Sequence, residues 1–306
     1  MSARNKIILI LGHPSEPHAA HMKGSVEQAG AIAYYLETHL FPTQIQLSWI
    51  PETMAGTIAF ADGHKLRLQD IQSIFWRQIA GVQISPSLEP EQQRLAYEDS
   101  MSLLRSILQG SAEKCFNSWE AYQFHKEKPL QLGTVKKLGI QIPPTLISND
   151  PEQITNFANT QQTVIFKPVY GGAHTQRVTP QHLAPERLKK VLSLSPATFQ
   201  AYIPGTNIRT YVIGEAIFSA EIHSPDLDFR TDENASLVPL KVPDEIAQQC
   251  LSIAKSLKLR WTAIDWRLSP SGEYFFLEAN PSPMFLHFEK QTGYPISDTL
   301  LNLLLQ

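Results

Sequence analysis

The sequence predicts an α/β domain followed by an α+β region with an antiparallel sheet, and two observations support this prediction. Segments typical of strands and helices alternate over about the first 112 residues, which indicates an open α/β domain. From Pro143 onward the pattern changes, and three extended runs follow one another within residues 198–223. At about 150 residues per domain, a chain of 306 residues has room for about two domains.

The N-terminal elements follow from short apolar runs, amphipathic spacing and turn signals. Ile7–Leu11 is an apolar run that ends at Gly12, which predicts a buried first strand. The pair Asp62-Gly63 predicts a hairpin turn. In order, we predict a strand over 6–12, a helix over about 20–38, a strand over 44–50, a hairpin of 56–60 with 65–68, a strand over 73–78 and a helix over 89–108. The predicted inner side of that last helix carries Leu95, Met101, Leu104 and Leu108.

The second half alternates strands with shorter helices. Ser118 is a good N-cap, and Pro129 divides the helical stretch that follows it. The predicted strands cover 114–117, 145–148, 163–169, 199–203, 207–213 and 216–222, with a final hairpin over 261–280. The predicted helices cover a stretch from Pro151, 185–194, 244–259 and a C-terminal segment from Ser297.

Composition excludes several classes of function. Twenty-six Lys and Arg against 29 Asp and Glu give a net charge of −3, which argues against a broad surface for nucleic acid or an anionic membrane. The first apolar run is too short for a secretory segment, which needs about 7–15 apolar residues, or for a membrane span, which needs about 20. Cys115 and Cys250 form no CxxC pair and lie among apolar residues, so we expect a reducing, cytoplasmic environment and buried thiols.

The final hairpin, WTAIDWRLSPSGEYFFLEANPSP, places two acids opposite each other. A two-residue turn at Ser271-Gly272 predicts the register that sets Asp265 across from Glu278. Asn280 follows two residues later and points to the same face. Opposed Cβ atoms lie about 5 Å apart, so like charges there repel unless a hard cation such as Mg²⁺ lies between them. The alternative is an exposed pair of strands with solvated acids, which the apolar residues on both sides argue against.

Two cations accompany this hairpin. Lys167 closes an apolar strand just before Gly171-Gly172, and a lysine beside a glycine loop can contact nucleotide phosphates. Gly-Gly is also a common hairpin turn, so that alternative stays open. Arg209 lies in the β-branched and aromatic run NIRTYVI, where it needs either an anionic partner or a surface position. Neither a G-x-x-x-x-G-K-[ST] nor a G-x-G-x-x-G motif is present, so the sequence does not support a P-loop or a Rossmann dinucleotide-binding site.

Histidines crowd one early segment, which includes His13, His18 and His21. His18 and His21 can share a helix face as zinc ligands, but no carboxylate or cysteine completes a ligand set by spacing. A role in a turn or at a helix start is therefore favoured over metal binding.

In their order along the chain, these motifs resemble the ATP-grasp superfamily, in particular its RimK-like carboxylate–amine ligases. The resemblance extends to the ligases that cyclise microviridin-type peptides, the graspetides, through SIFWRQ, NSWEAYQFHKEKPLQLG and FLEANPSP. It covers nearly the whole chain. It implies an N-terminal α/β pre-ATP-grasp domain over 1–112, a central subdomain over 113–202 and a C-terminal subdomain with the metal site over 203–306. The nucleotide is then expected between two sheets.

The resemblance also implies roles for individual residues. Phosphates are expected at the lysines, adenine at backbone groups of the Gln200–Ile203 hinge and ribose near Asn207. The implied nucleotide-binding residues are Lys128, Lys167, Gly171, Gly172, Gln200, Ala201, Tyr202, Ile203 and Asn207. Arg209 and Arg230 are the implied catalytic arginines, of which Arg230 lies on the substrate side. Asp265, Glu278 and Asn280 are the implied ligands of two Mg²⁺.

Together, the motifs and the resemblance predict an ATP-dependent ligase that activates a carboxylate as an acyl phosphate and joins it to an amine or a hydroxyl. The expected carboxylate belongs to a small molecule or a peptide, including a precursor peptide, with no nucleic-acid or membrane partner. A kinase with an alcohol acceptor and a catalytically silent nucleotide-binding module that docks a peptide are the alternatives. A homodimer is a further option that the sequence leaves open.

Overall fold

The computed structural model describes residues 6–171, 174–225 and 235–306. The strands are Ile7–Leu11 (β1), Ile32–Leu36 (β2), Gln46–Ile50 (β3), Ala55–Ala59 (β4), Lys65–Arg67 (β5), Ile71–Trp76 (β6), Cys115–Phe116 (β7), Thr145–Ser148 (β8), Val164–Pro168 (β9), Gln176–Arg177 (β10), Ala197–Ala201 (β11), Thr206–Ile213 (β12), Ala216–His223 (β13), Ser236–Leu240 (β14), Trp261–Leu268 (β15) and Tyr274–Asn280 (β16). The helices are Pro17–Gln28 (α1), Pro90–Gly110 (α2), Trp119–Lys126 (α3), Lys128–Lys137 (α4), Pro151–Thr160 (α5), Pro185–Leu192 (α6), Asp244–Ser256 (α7), Leu286–Thr292 (α8) and Ile296–Leu304 (α9).

The N-terminal sheet is parallel, with strand order β2-β1-β6-β7, and both of its faces are covered. Ile8 and Ile10 of β1 pack in the core cluster that includes residues of α1 and α9. Leu9 and Leu11 face the other way, toward α2 and the small antiparallel sheet β3-β4-β5. Burial on both faces is why β1 is an uninterrupted apolar run. The predicted α/β domain is confirmed.

The predicted helix over 20–38 is wrong in its second half. Helix α1 ends at Gln28, and Gly30 adopts a left-handed backbone with a φ of 81°, which stops a helix without steric cost. The following residues, Ile32–Leu36, are β-branched, aromatic or aliphatic and pair with β1 as a parallel strand.

The long helix α2 lies where the amphipathic pattern predicts it, but its buried side is shorter than expected. Met101, Leu104 and Leu108 are buried, whereas Leu95 is 55% exposed. The buried residues of α2 all lie between Ser100 and Leu108, so only the C-terminal half of the helix packs on the core.

The second half contains two antiparallel sheets, with strand orders β10-β9-β11-β8 and β14-β13-β12-β15-β16. Helices α5 and α6 cover the first of these sheets, and α4 and α7 pack against the second. Strand β14 and helix α8 were not predicted. Cys115 and Cys250 are buried, as predicted. Among the described residues, no helix has both the length and the apolar character that crossing a membrane requires.

The final hairpin has a different turn from the predicted one. A three-residue turn, Pro270–Gly272, replaces the two-residue turn Ser271-Gly272, and a backbone hydrogen bond of 2.9 Å joins the residues on either side of it. This shifts the register by one residue near the turn. A bulge at Leu277 then shifts the register back, so that Asp265 does pair with Glu278. The predicted pairing is therefore confirmed, although two offsetting irregularities produce it.

Candidate active site

Two carboxylates and two cations meet on the five-stranded sheet. Asp265 on β15 lies between Glu278 on β16 and Arg209 on β12. Arg209 donates two parallel hydrogen bonds to Asp265, Nε to Oδ1 at 2.7 Å and Nη2 to Oδ2 at 2.8 Å. Lys128, at the start of α4, donates from Nζ to Glu278. The anionic partner that Arg209 requires is therefore Asp265, and each acid has a cation that offsets the repulsion between the two carboxylates.

The charges around Glu278 keep it ionised. Burial acts to raise the pKa of this carboxyl, but the neighbouring Lys128, His125 and Lys167 outweigh burial and lower the pKa to about 2. For Arg209, burial acts to lower the pKa, but the charge and hydrogen bonds of Asp265 hold it above its usual range. The site therefore carries fixed charges of both signs at neutral pH.

Ala279, which separates Glu278 from Asn280, is held from behind by α3 and α4. The buried Gln131 accepts a hydrogen bond from the Ala279 N–H at 2.9 Å and donates to its carbonyl at 3.0 Å. His125 Nδ1 donates to the same carbonyl at 2.9 Å, and burial lowers the pKa of this imidazole, which favours its neutral form. Asn280 Oδ1 accepts from the backbone at 2.9 Å. The main chain that carries two of the three oxygen donors is therefore fixed in place.

A cleft opens between the four-stranded and the five-stranded antiparallel sheets. It contains the predicted hinge together with Lys167 and Asn207, and its lining consists of Pro143, Ile165, Lys167, Thr175, Gln200, Ala201, Tyr202, Ile203, Asn207, Arg267 and Leu277. Lys167 Nζ lies 3.4 Å from Gln200 Oε1, and Gln200 Nε2 donates to Thr145 Oγ1 at 2.8 Å. A buried amide on the neighbouring strand therefore lies within hydrogen-bond reach of Lys167.

The hinge strand presents selected backbone groups to this cleft. The Ala201 N–H donates to the Pro144 carbonyl at 2.8 Å. In an antiparallel pair of this kind, each residue normally donates its N–H to the carbonyl of the other. Pro144 has no N–H to donate to the Ala201 carbonyl, so this pairing leaves that carbonyl available as an acceptor. The Ile203 carbonyl accepts a hydrogen bond of 2.8 Å from Arg267 Nε.

Arg267 organises the end of the cleft at Asn207, and it was not among the predicted site residues. Besides Ile203, it donates to Asn207 Oδ1 at 3.1 Å and to the Tyr202 hydroxyl at 2.9 Å, and its guanidinium lies 5.3 Å from the Tyr202 ring centroid. It follows Asp265 by two residues on the same strand. The period of two along a strand puts both on one face, so this spacing was the signal that could have identified Arg267.

Gly171 lies close to the side chain of Lys128. A Cβ added at Gly171 would lie 3.4 Å from both Cε and Nζ of Lys128, and Gly171 has a positive φ of 101°. Gly171 therefore lies against the Lys128 side chain, which pairs with Glu278. Two predicted site residues, Gly172 and Arg230, lie outside the described residues.

Comparison with known proteins agrees with this architecture. A family model described as the MvdD pre-ATP grasp domain matches residues 7–123, and the RimK-like ATP-grasp domain matches residues 125–304. No curated protein matches the chain. Because the second match spans more than half of the chain, the protein belongs to the RimK-like ATP-grasp family.

Several solved structures are similar over nearly the whole chain. The ATP-grasp ligase PsnB, complexed with a phosphomimetic variant of minimal precursor, Mg and ADP, is 26% identical with a TM-score of 0.85, over 99% of this chain and 98% of that one. The macrocyclase MdnC from Microcystis aeruginosa MRC, bound with precursor peptide MdnA, is 25% identical with a TM-score of 0.85, over 98% and 99%. A Chryseobacterium gregarium RiPP-associated ATP-grasp ligase, in complex with ADP and a leader and core peptide, is 23% identical with a TM-score of 0.85, over 98% and 96%, and supports the fold alone. The protein is therefore an ATP-dependent ligase of the ATP-grasp class, which also includes the peptide ligases PsnB and MdnC.

Proposed function

We propose that the protein uses ATP to activate a carboxylate of a peptide, which an amine or a hydroxyl then attacks to form an amide or an ester. The carboxylate oxygen bonds to the γ-phosphorus and ADP leaves, which gives an acyl phosphate. The nucleophile then bonds to the acyl carbon and loses its proton, and phosphate leaves. The arrangement of Asp265 opposite Glu278, with Arg209 and Lys128 beside them, is the observation that carries this proposal.

The acids fit a hard cation. Asp265, Glu278 and Asn280 offer only oxygen atoms, the donor type that Mg²⁺ prefers, and the low pKa of Glu278 keeps that carboxylate ready to coordinate. Mg²⁺ bound there would neutralise charge on the phosphates of ATP. Asp265 holds the Arg209 guanidinium on the face of the sheet that carries the acids. From this position, Arg209 would stabilise the phosphoryl group during transfer.

The cleft fits a nucleotide. We assign adenine to the Ala201 carbonyl and the Ile203 N–H, and the ribose to Asn207, which Arg267 holds in place. Lys167 and Lys128 would bind phosphates, and the loop at Gly171 and Gly172 would cover them. When ATP enters, Lys128 would exchange Glu278 for a phosphate oxygen, which leaves the carboxylate for the metal ion.

The peptide substrate is inferred from the relatives. PsnB and MdnC are complexed with precursor peptides over chains that match this one almost end to end. We therefore propose a peptide carboxylate as substrate. Arg230 would lie on the substrate side of the active site, and the N-terminal region 1–112 would form one wall of the peptide-binding site. Residues 113–202 and 203–306 would then enclose the nucleotide. The buried free thiols fit a cytoplasmic location.

The deciding experiment measures ADP and free phosphate from ATP–Mg²⁺ with a panel of acidic peptides. We expect peptide-dependent release of one phosphate per ADP for the parent protein, and loss of turnover in Glu278→Gln. The matched control is Glu273→Gln, since Glu273 is an exposed acid at the turn of the same hairpin. Equal rates in all three proteins would refute the metal assignment. ADP with a stable phosphorylated peptide and no free phosphate would instead indicate a kinase.

A further inference from the structure

Three potential metal ligands meet at the edge of the N-terminal sheet, outside the ATP site. His13 follows β1, while Glu37 and His39 follow β2. The two strands are parallel neighbours, so their carboxyl ends lie at the same edge of the sheet. One candidate ligand atom from each of the three side chains lies within 4.8 Å of the others. This edge, at the carboxyl ends of parallel strands, is where open α/β sheets commonly bind ligands.

The distances suit a single ion. His13 Nε2 lies 3.2 Å from Glu37 Oε2. Ligand bonds of about 2.0–2.2 Å to a tetrahedral zinc ion put two ligand atoms about 3.3 Å apart, so this pair already has the required separation. The rings of His13 and His39 have centroids 5.5 Å apart. His13 is exposed and His39 partly so, which leaves both rings room for the small rotation that brings the third ligand in.

We propose that His13, Glu37 and His39 bind one divalent transition-metal ion, with zinc as the best-fitting example. Two imidazoles and a carboxylate suit zinc, iron(II), cobalt(II) or nickel(II), whereas Mg²⁺ prefers oxygen ligands alone. The two metal sites of the protein would therefore select different ions.

The surrounding backbone supports this arrangement. Thr38, between two of the ligands, is buried, and its Oγ1 donates to the Ala80 carbonyl at 2.7 Å, which fixes the short 3₁₀ helix over Thr38–Leu40. On the other side, Ser15 Oγ lies 2.6 Å from His13 Nδ1, and the Ser15 N–H donates to the same nitrogen at 3.1 Å. Metal binding at Nε2 moves the imidazole proton to Nδ1. The hydrogen bond from the Ser15 N–H then has to break, and Ser15 Oγ becomes the acceptor of the Nδ1 proton.

The other early histidines, which the sequence analysis weighed as zinc ligands, have different partners. His18 Nδ1 lies 2.8 Å from Glu16 Oε1, and His21 Nε2 lies 2.8 Å from Ser297 Oγ. The partners of His13 follow the neighbouring strand β2 and lie more than 20 residues away, so spacing within the early histidine segment could not reveal them.

The three proposed ligands line one pocket. Gln78 and Met284 line the same pocket, and Met284 belongs to the segment that follows the Mg²⁺-binding hairpin. An ion here would therefore lie between the N-terminal domain and the ATP-grasp region, with positions free for water or for an oxygen ligand.

The test is a titration of the purified full chain with Zn²⁺ by calorimetry, and with Co²⁺ by visible absorption, which reports nitrogen and oxygen coordination directly. We expect one equivalent to bind in the parent protein with micromolar or tighter affinity. His13→Ala and His39→Ala should each weaken binding by at least about tenfold and remove the cobalt spectrum. His64→Ala is the matched control, because His64 is an exposed histidine of the same domain, stacked on Tyr34 at 4.8 Å.

Each outcome decides the proposal. Thermal unfolding without metal verifies that the variants fold, and Glu37→Gln, which keeps the shape of the side chain, provides a second route if a histidine variant does not. Binding that persists in His13→Ala and His39→Ala would assign the ion to other residues and overturn the proposal. Absence of stoichiometric binding in the parent protein would overturn it as well. Excess Mg²⁺ should not compete, and competition by Mg²⁺ would indicate an oxygen-only site.

Discussion

Asp265 and Glu278 are both acids of the candidate metal site, and the structure gives the removal of each a cost in stability. Asp265 forms the paired hydrogen bonds of the buried Arg209 guanidinium. Asp265→Asn replaces the charged partner of this largely enclosed guanidinium with a neutral amide, which we expect to lower the free energy of unfolding by about 2–3 kcal/mol. Glu278→Gln removes a carboxylate whose pKa is lowered to about 2, above all by Lys128. Its cost at pH 7 should therefore be of similar size, but it should shrink as the pH falls from 4.5 toward 2.

Urea unfolding at pH 7 and at pH 3 measures both costs, with Glu273→Gln as the exposed control. A cost of Glu278→Gln that does not change with pH would mean that the charge of Glu278 does not stabilise the fold. Both variants should lack turnover.

Lys167 lies beside the hinge, where it would meet the phosphates of ATP. Its contact with Gln200 is long, at 3.4 Å, so a phosphate oxygen would be a stronger partner than the amide. Lys167→Ala should weaken ATP–Mg²⁺ binding by about 1.5–3 kcal/mol, or about 10- to 150-fold. Calorimetry measures this affinity, and Lys189→Ala, an exposed lysine on α6, is the control. An unchanged affinity would remove Lys167 from the proposed site.

Residue-level prediction succeeded where a local rule decided the geometry. An isolated cation in an apolar strand required a partner such as the one that Arg209 has. The hairpin did bring Asp265 and Glu278 together, but only because a bulge offset the error in the predicted turn. Residue-level prediction did not identify Gln131, whose partners are main-chain groups of a strand about 150 residues away. A single buried amide side chain produces no periodic pattern in the sequence, so its hydrogen-bond partners can be identified only from the folded structure.

At the scale of elements, Glu16 links the start of α1 to the rest of the protein. Its side chain accepts the Ala19 N–H as an N-cap and pairs with the buried Arg77, which in turn donates to Ser282 Oγ. Burial acts to raise the pKa of Glu16, but the hydrogen bonds from His18 and Arg77 and the charge of Arg77 lower it to about 2. The ionised form is therefore the one that the folded protein stabilises.

The pH dependence of stability follows from this lowered pKa. A carboxyl with a pKa of 4.5 when unfolded and about 2 when folded stabilises the protein above pH 4.5, and this contribution is lost as the pH falls from 4.5 toward 2. Glu16→Gln should cost about 2 kcal/mol at pH 7, and the difference from the parent should shrink through that window. Urea unfolding between pH 3 and pH 7 measures it, with Glu91, an acid in the first turn of α2, as the control position. A difference that does not change with pH would mean that Glu16 acts only through its shape.

Elements with a clear period and clear ends were predictable, and those that depend on tertiary contacts were not. The paired strands β12 and β13 and the capped helix α3 lie where turn and capping residues place them. The sequence pattern predicts helix over the short strand β2, because its apolar residues continue the pattern of α1 and Gly30 is the only stop signal between the two. Helix α8 follows a Pro-rich segment, and packing sets its conformation, because its Phe288 is buried in the same cluster as Ile8 and Trp261.

At the scale of the whole molecule, one hydrophobic core joins regions that the sequence presents as separate domains. Ile8 and Phe75 of the N-terminal sheet belong to the same buried cluster as Tyr211, Trp261 and Phe285 of the C-terminal region. The sheet β10-β9-β11-β8 instead has its own core around Ile154, Val164, Leu188, Leu192 and Phe199. This arrangement indicates a large unit that carries the hairpin of Asp265 and Glu278, and a smaller unit with its own core whose sheet forms one side of the cleft.

This division predicts different consequences for two buried phenylalanines. Phe285→Ala removes a fully buried ring from the shared core, and we expect it to lower the free energy of unfolding by about 3–5 kcal/mol. Hydrogen exchange should then accelerate both in β1 and in β12, although these strands lie in different sheets. Phe199→Ala, which truncates an equally apolar ring in the smaller core, should accelerate exchange in β9 and β11 and leave β1 protected. If Phe285→Ala exposed only the C-terminal strands, the N-terminal region would be an independent folding unit. The wall that it forms in the proposed peptide site would then be free to move relative to Asp265 and Glu278.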